Sequence, residues 1–340
     1  MSTRYRGYKL NITVLVDGTA IPENDREFTG FPNEPTTEHH VIQGLRDLGH
    51  EVSILPVEED VGQIVRVLTG RKPDIVFNLT EQFGGDRRYD KNIAALLEIL
   101  DIPFTGSGAM GLMLCRDKRL CKQLLSLHKI RVPGFVFFPL NRAVRVPKTL
   151  RYPLVVKPAF EDSSEGISNA SLAANEEALT ERVAFVHEKW EQAVIAEEYI
   201  EGRELYVSVL GNKRLIVLPI RECFFSSGGA KGPQMATYRV KFNADYRKKW
   251  NISFGFAELD PATVRNVERI CKRVYRVLQI RDYGRIDLRL TPDNKLVILE
   301  ANPNPDIAYG EEFAESAHQA GISYEKLMAR LLQVALRRYD

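Results

Sequence analysis

Apolar and polar positions change period along the chain. Over the opening third, short apolar runs alternate with amphipathic stretches: NITVLV, EHHVIQGLRDLGH, EVSILPV, VGQIVRVLTGR, DIVFNL, NIAALLEILD and IPFTG. Strand, helix, strand, helix, strand, helix, strand is the pattern of a parallel α/β sheet. The segment between the first strand and its helix, GTAIPENDREFTGFPNEPTT, has the length of a lid or binding loop. DKRLCKQLLSLH predicts a further helix, and from about residue 150 the strands take an antiparallel character in YPLVVKPAF, ISNASL, AVIAEEYI, GRELYVSVLG and GNKRLIVLPI, around a helix in EEALTERVAFVHEKW. A glycine-rich loop, SSGGAKGP, and a basic segment, ATYRVKFNADYRKKW, whose YRVKF reads as a loop, precede the helix ATVRNVERICKRVYRVLQ and the strands GRIDLRL and KLVILEANP. Helices in EEFAESAHQAG and SYEKLMARLLQVALRRY close the chain.

Composition narrows this picture. At 340 residues the chain exceeds the size at which single cores stop growing, so two or three subdomains are expected. The 47 Lys and Arg residues nearly balance 45 Asp and Glu, and a net charge of +2 gives no reason to expect nucleic acid or a membrane as partner. Phosphate binding has to be local. Cys115, Cys121, Cys223 and Cys271 form no C-x-x-C pair, which suits reduced thiols in the cytoplasm. The amino-terminal apolar run ITVLV is too short for a signal h-region or a membrane span and reads as the first core strand.

Candidate chemistry gathers in three places. In GRIDLRLTPDNKLVILEANPNPD, strand alternation puts Arg285 and Asp287 on one face and Glu300 and Asn302 on one face of the next strand, joined by the turn TPDN. Oxygen-bearing side chains beside a guanidinium can hold Mg²⁺ with bound phosphate; a solvated hairpin face with an ion pair is the plainer alternative. In LVVKPAF, Lys157 stands inside an apolar strand before EDSSEGIS, whose Ser163, Ser164 and Gly166 can offer hydroxyls and N–H groups to phosphate; a snorkelling edge lysine beside a turn is the alternative. In VIAEEYIEGREL, acids in an apolar strand followed by Gly202 and Glu204 suit a nucleoside, or an edge strand with charges.

In their order along the chain these segments resemble the ATP-grasp superfamily, and within it the D-alanine:D-alanine ligase branch. The resemblance runs from about residue 38 to 336 and is carried by FNL, IPFTGSGAMG followed by RDK, VVKPAFEDSSEGIS, AEEYIEGREL, GRIDLRL, LEANPNP and AESAHQAGISYEKLMARLL. It implies an α/β ATP-grasp fold with a Rossmann-like domain over residues 1–115, a central subdomain over 116–205 and a carboxy-terminal subdomain over 206–340, with ATP between the last two. It implies that Lys118 and Lys157 reach ATP phosphates, that Ser163 and Ser164 lie in the phosphate loop, that Glu197, Glu198, Tyr199 and Ile200 face adenine, and that Glu204 takes the ribose. Lys241 would close over the γ-phosphate, Asp287, Glu300 and Asn302 would hold two magnesium ions (or manganese), and Arg285, with a backbone N–H of the Pro305–Asp306 segment, would stabilise an oxyanion. The implied reaction is ATP-dependent amide formation through an acyl phosphate on small amino-acid-like substrates, catalysed with Arg285, Lys241 and Ser163. A homodimer is common in that branch.

Departures concern the substrates. Where D-alanine ligases receive the second D-alanine with a threonine, a glycine, a serine and a leucine, this chain carries Pro303, Asn304, Pro305 and Asp306, then Glu311 and Glu312. Carboxylates suit another carboxylate badly, so an acceptor other than D-alanine, bearing a positive charge or hydroxyls, is expected; a true D-alanine:D-alanine or D-alanine:D-lactate ligase is the alternative, and a non-catalytic ATP-binding subunit a remoter one. Phe242 replaces a usual tyrosine after Lys241. Glu38 and Glu81 are the candidate first-substrate residues, although an acid at a helix start also complements the helix dipole. The glycines of TGSGAMG form a literal G-x-G-x-x-G, but they follow the fourth predicted strand and no Asp or Glu occurs between Asp117 and Glu161 to take a ribose. They read as a hinge into the helix carrying Lys118.

Overall fold

In the computed structural model, which describes residues 9–142, 144–161, 166–225 and 235–340, three sheets follow one another along the chain. The first is built from β1 (Asn11–Asp17), α1 (Thr37–Asp47), β2 (Glu51–Val57), α2 (Val61–Arg71), β3 (Ile75–Asn78) and α3 (Asp90–Ile99). Its strands run parallel in the order β2-β1-β3, and Ile12, Val14, Leu15 and Val16 of β1 are buried, as a parallel strand covered on both faces requires. The expected fourth strand, IPFTG, is corrected to a single parallel bridge between Val76 and Phe104. Pro103 has no N–H to extend the ladder, and the chain turns away at Gly106, whose φ is +91°.

The chain then passes through α4 (Ala109–Arg116) and α5 (Lys118–Leu127), the latter capped by the Asp117 carboxylate, which accepts from Leu120 N at 2.9 Å. The central sheet contains β4 (Phe135–Phe138), β5 (Leu154–Pro158), β6 (Leu172–Ala173) and β7 (Val194–Glu198), antiparallel in the order β4-β7-β5-β6. The expected strand ISNASL shrinks to Leu172–Ala173, because Asn169–Ser171 winds into a 3-10 turn. Helix α6 (Glu176–Trp190) covers this sheet through Leu179, Val183 and Val186.

The third sheet holds β8 (Arg203–Leu210), β9 (Ile216–Val217) and β10 (Arg221–Phe224); after α7 (Tyr238–Phe242) and α8 (Ala244–Trp250) it gains β11 (Ser253–Phe256). Helix α9 (Pro261–Val277) leads to the hairpin β12 (Tyr283–Leu290) and β13 (Leu296–Pro303), and α10 (Glu312–Gln319) and α11 (Tyr324–Leu336) follow. The strand order is β11-β10-β8-β12-β13, with β9 beside β8. YRVKF, expected as a loop, is the helix α7, and the basic segment continues into α8: Thr237 and Asn243 cap the two helices in turn.

Alternation divides the third sheet. Leu205, Val207 and Val209 of β8 and Ile286 and Leu288 of β12 pack with Val267, Cys271 and Val274 of α9 in one core. The opposite face therefore carries Glu204, Tyr206 and Ser208 beside Arg285, Asp287 and Arg289. Helix α11 returns to the first sheet, where Leu327, Met328 and Leu331 pack with Val41, Ile42 and Leu45 of α1. Among the described residues, no helix is long and apolar enough to cross a membrane.

Candidate active site

The polar face of the third sheet is a grid. One rung runs across the strands through Phe256, Arg221, Tyr206, Asp287 and Glu300, and the next brings Ser208, Arg285 and Asn302 into line. The four residues of the β12–β13 hairpin singled out in the sequence thus stand side by side. Arg285 donates from Nε to Asp287 Oδ1 at 2.8 Å and from a terminal nitrogen to Oδ2 at 3.1 Å, while its other terminal nitrogen lies 3.0 Å from Glu312 Oε2. Burial works against this guanidinium, yet Asp287 and Glu312 hold its pKa well above the ordinary arginine value. Burial pushes the Asp287 carboxyl up, only partly offset by Arg285. Burial also acts to raise Glu300, but Lys118, Lys157, Lys241 and Arg285 outweigh it and bring the carboxyl to about 2. A carboxylate so strongly held in its charged form is a competent hard ligand.

The donor set fits magnesium. Two carboxylates and an amide are hard oxygen donors, and the buried amide nitrogen of Asn302 has no hydrogen-bond partner among the described residues, so this amide can turn its oxygen outward. Among the described residues no group of three or more His, Cys, Asp and Glu side chains is arranged to hold a metal. Phosphate oxygens of a bound nucleotide would have to complete the ligand shell, and Asp287 would have to release part of its contact with Arg285.

Lysines of β5 and α5 face this grid. Lys157 on β5 and Lys122 on α5 converge on one oxygen of Glu197, at 3.0 and 3.2 Å, and all three side chains are buried. Burial disfavours both ammonium groups; at Lys157 it is outweighed by Glu197 and Glu300, so its pKa rises, whereas at Lys122 burial prevails and the pKa falls. Lys122 also donates to Leu299 O at 2.6 Å, tying α5 to β13. Lys118 Nζ donates to Glu161 O. Lys157, Glu197, Glu198, Tyr199, Ile200, Glu204, Lys241, Asp287 and Glu300 share a cavity of 80 Å³ between the two sheets. Within it Glu204 is engaged by Arg289 at 2.5 Å, Tyr206 Oη at 2.9 Å and Ala236 N at 3.3 Å. The N–H groups of Glu198 and Tyr199 donate to Gly134 O and Pro153 O. Ser163 and Ser164, and the loop SSGGAKGP, lie outside the described residues.

Lys241 also lines a second, larger cavity of 440 Å³ that extends toward the first sheet. Glu38 and Glu81 from the amino-terminal side meet Asp306, Glu311 and Glu312 there, with Asn302, Arg221 and Arg285 on the remaining wall. Glu38 sits in the first turn of α1, and Glu81 follows β3. Asp306 Oδ1 accepts from Thr37 Oγ1 and from Ala308 N, each at 2.8 Å, so the segment after Asn302 is fastened to the start of α1. The glycine turn joins the same wall: Gly106 N donates to Asp282 Oδ2 at 2.8 Å and Ser107 N to Asn304 Oδ1 at 2.7 Å. Its N–H groups therefore hold protein side chains.

Lys122, Arg289, Arg221 and the Arg285–Glu312 pair were not singled out in the sequence as parts of this machinery. Lys122 alone carried a signal, one helical turn beyond Lys118.

A family model described as D-ala D-ala ligase C-terminus matches residues 134–333. An uncharacterized protein of Sinorhizobium fredii is 32% identical over 306 residues, covering 88% of this chain and 87% of that protein. A D-alanine--D-alanine ligase of Bordetella petrii is 32% identical over 248 residues, 72% of each chain, and one of Aquifex aeolicus is 28% identical over 301 residues, 86% of this chain and 92% of that protein. The crystal structure of the D-alanine--D-alanine ligase of Bacillus anthracis complexed with ATP superposes with a TM-score of 0.73 at 21% identity, covering 96% of this chain and 98% of that one, and shares its fold.

Proposed function

The chain belongs to the D-alanine--D-alanine ligase family of ATP-grasp proteins and is an ATP-dependent ligase that forms C–N bonds; from that premise we propose that it joins the carboxylate of one amino acid to the amine of a second through an acyl phosphate. The names of its relatives favour D-alanine in both positions over an unspecified pair, so D-alanine is the first donor and first acceptor to try.

The observation that carries the proposal is the meeting of Lys118, Lys157, Lys241 and Arg285 around Glu300, at the junction of the two cavities. A donor carboxylate oxygen attacks the γ-phosphorus of ATP and ADP departs; the acceptor amine then adds to the acyl carbon, and inorganic phosphate leaves with the C–O bonding pair as the amine loses its proton. Lys118 and Lys157 hold the phosphate chain, and Lys241, at the boundary of the cavities, neutralises the oxygens of the transferring group. Asp287, Glu300 and Asn302 would hold two magnesium ions, which supply Lewis-acid charge to the phosphate oxygens. Arg285, oriented by Asp287 and Glu312, faces the carbonyl oxygen when it becomes negative.

Arg285→Ala is expected to lower turnover by about 10²–10³-fold, as for other lost oxyanion donors. The test is ADP release with ATP, Mg²⁺ and D-alanine by wild type and variant, with the product weighed by mass spectrometry. Equal product formation by both proteins would overturn the role of Arg285. Absence of ADP release by wild type across a panel of amino-acid pairs would overturn the ligase proposal itself.

A further inference from the structure

The cations that line the larger cavity are Arg116, Arg221, Lys241, Arg247 and Arg285, and all but one have a partner or a task. Arg116 pairs with the buried carboxylate of Asp90. Arg247 donates to Val240 O and Lys241 O at the end of α7. Arg285 meets Asp287 at 2.8 Å and Glu312 at 3.0 Å. Lys241 is the cation assigned above to the transferring phosphoryl group. Arg221 is left. Among the described residues its guanidinium forms no ion pair and donates no hydrogen bond, and its Nε is buried. Glu311 feels this charge, which acts to lower its carboxyl, but burial, then Asp306 and Glu312, keep that carboxyl raised, and the two side chains make no ion pair.

The fold nevertheless fixes Arg221. It stands on β10 opposite Tyr206 of β8, in the rung that continues to Asp287 and Glu300, and its Cζ lies 5.3 Å from the centre of the Phe256 ring. Two strand spacings put its backbone about 10 Å from that of Asp287, a gap that an arginine side chain and a small amino acid fill together. A guanidinium that is positioned and partly desolvated before any ligand arrives has little left to lose when an anion binds it.

We propose that Arg221 receives the carboxylate of the acceptor amino acid and makes the enzyme select acceptors that carry one. This rests on the ligase function proposed above and deepens it. The two substrate carboxylates have different fates: the donor's is consumed in the acyl phosphate, whereas the acceptor's stays ionised through the reaction and into the product. It therefore needs a cation outside the phosphate-binding set. At Arg285 it would meet the like charges of Asp287 and Glu312, both already in contact with that guanidinium. Arg221 presents a planar fork with no acid in contact, the arrangement that suits a carboxylate. Glu312, whose charge read in the sequence as unfavourable to an acceptor carboxylate, is matched by Arg285, and recognition of that carboxylate moves to β10.

The test is a competition between acceptors that differ only in this group: D-alanine against D-alaninamide, and glycine, L-alanine, D-serine and L-serine each against its amide, with ATP and Mg²⁺ and with D- or L-alanine as donor. An amide can act only as acceptor, so the masses of the two products report acceptor choice alone. Wild type is expected to favour the free acid by at least about tenfold in kcat/KM, the size of one strong charged contact, and in Arg221→Gln that preference is expected to fall by about tenfold through the KM of the acid. The different basicity of the amide's amine is common to both proteins and cancels from the comparison. Arg221→Lys, which keeps the charge and loses the fork, is expected to lie between them, and ATP affinity measured by calorimetry is expected to be the same in all three, as a merely structural role would not allow. An unchanged preference in Arg221→Gln, or a wild type that releases ADP and uses amide and acid equally, would overturn the inference and leave the ligase function standing. No ADP release by wild type with any pair would overturn both.

Discussion

Glu197 is the residue on which the cationic side of the site depends. Two buried lysines share its Oε1, and without it their charges would face each other inside the fold. Breaking a buried ion pair by removing one partner costs about 3–5 kcal/mol. Glu197→Gln is therefore expected to lower the thermal midpoint measured by calorimetry and to weaken ATP binding; an unchanged midpoint would show that the lysines are not held by this acid. Asp17, at the end of β1, is the opposite case. Burial, joined by the charges of Glu81 and Glu38 against the Glu81 and Gln82 N–H groups, raises its carboxyl to about 7, and its Oδ1 is buried with no hydrogen-bond partner among the described residues. A folded-state pKa above the unfolded value means that the native state binds the extra proton between 3.8 and about 7, so the stability Asp17 contributes is full below that window and is lost as pH rises through it. Asp17→Asn is expected to remove this slope, so that the variant gains on wild type from acid to neutral pH in denaturant titrations; parallel pH profiles would contradict it.

At the scale of elements, the turn TGSGAMG shows how a short loop sets the position of the site. A Cβ at Gly106 would lie 2.5 Å from Asn304 Oδ1, and the φ of +91° is one that side chains rarely adopt. Asn304 itself has a φ of 50° and stands two residues beyond the candidate metal ligand Asn302 on the exit of β13. Gly106→Ala should therefore push the β13 exit out of register with the grid, lowering kcat by about tenfold or more at little change in ATP affinity, since a misplacement of about 1 Å can cost as much as 10²-fold. Equal losses in kcat and nucleotide affinity would instead mean a general loss of folding. The β12–β13 hairpin was legible in advance because alternation, the TPDN turn and four polar residues agreed locally. Strands β10 and β11 were not: Arg221 and Glu222 interrupt one, Gly255 the other, and both gain their place only from pairing with β8 and with each other. The helical character of α7 was hidden for a related reason, since its C-terminal carbonyls are met by Arg247 from the following helix, at 3.1 Å to Val240 O and 2.6 Å to Lys241 O. Pairings such as Lys122 with Glu197 and Arg285 with Glu312 join separate elements, and no local spacing announces them.

At the scale of the whole molecule, each sheet contributes one kind of group to the reaction space. The first brings acids on the ends of β3 and α1, the central one brings cations on β5 and α5, and the third supplies the rigid grid of Arg285, Asp287, Glu300 and Asn302. Helix α11 packs against α1 and the Asp306–Thr37 contact ties the third sheet to the first, so the walls of the larger cavity are held in place by the fold. The proposed conversion of a carboxylate to an acyl phosphate in this space precedes attack by an amine. It is tested most directly with a donor labelled with ¹⁸O in both carboxylate oxygens, analysing the inorganic phosphate released with ADP. An acyl phosphate predicts that one labelled oxygen passes into each phosphate and one remains in the amide product; unlabelled phosphate, or release of pyrophosphate in place of phosphate, would contradict it.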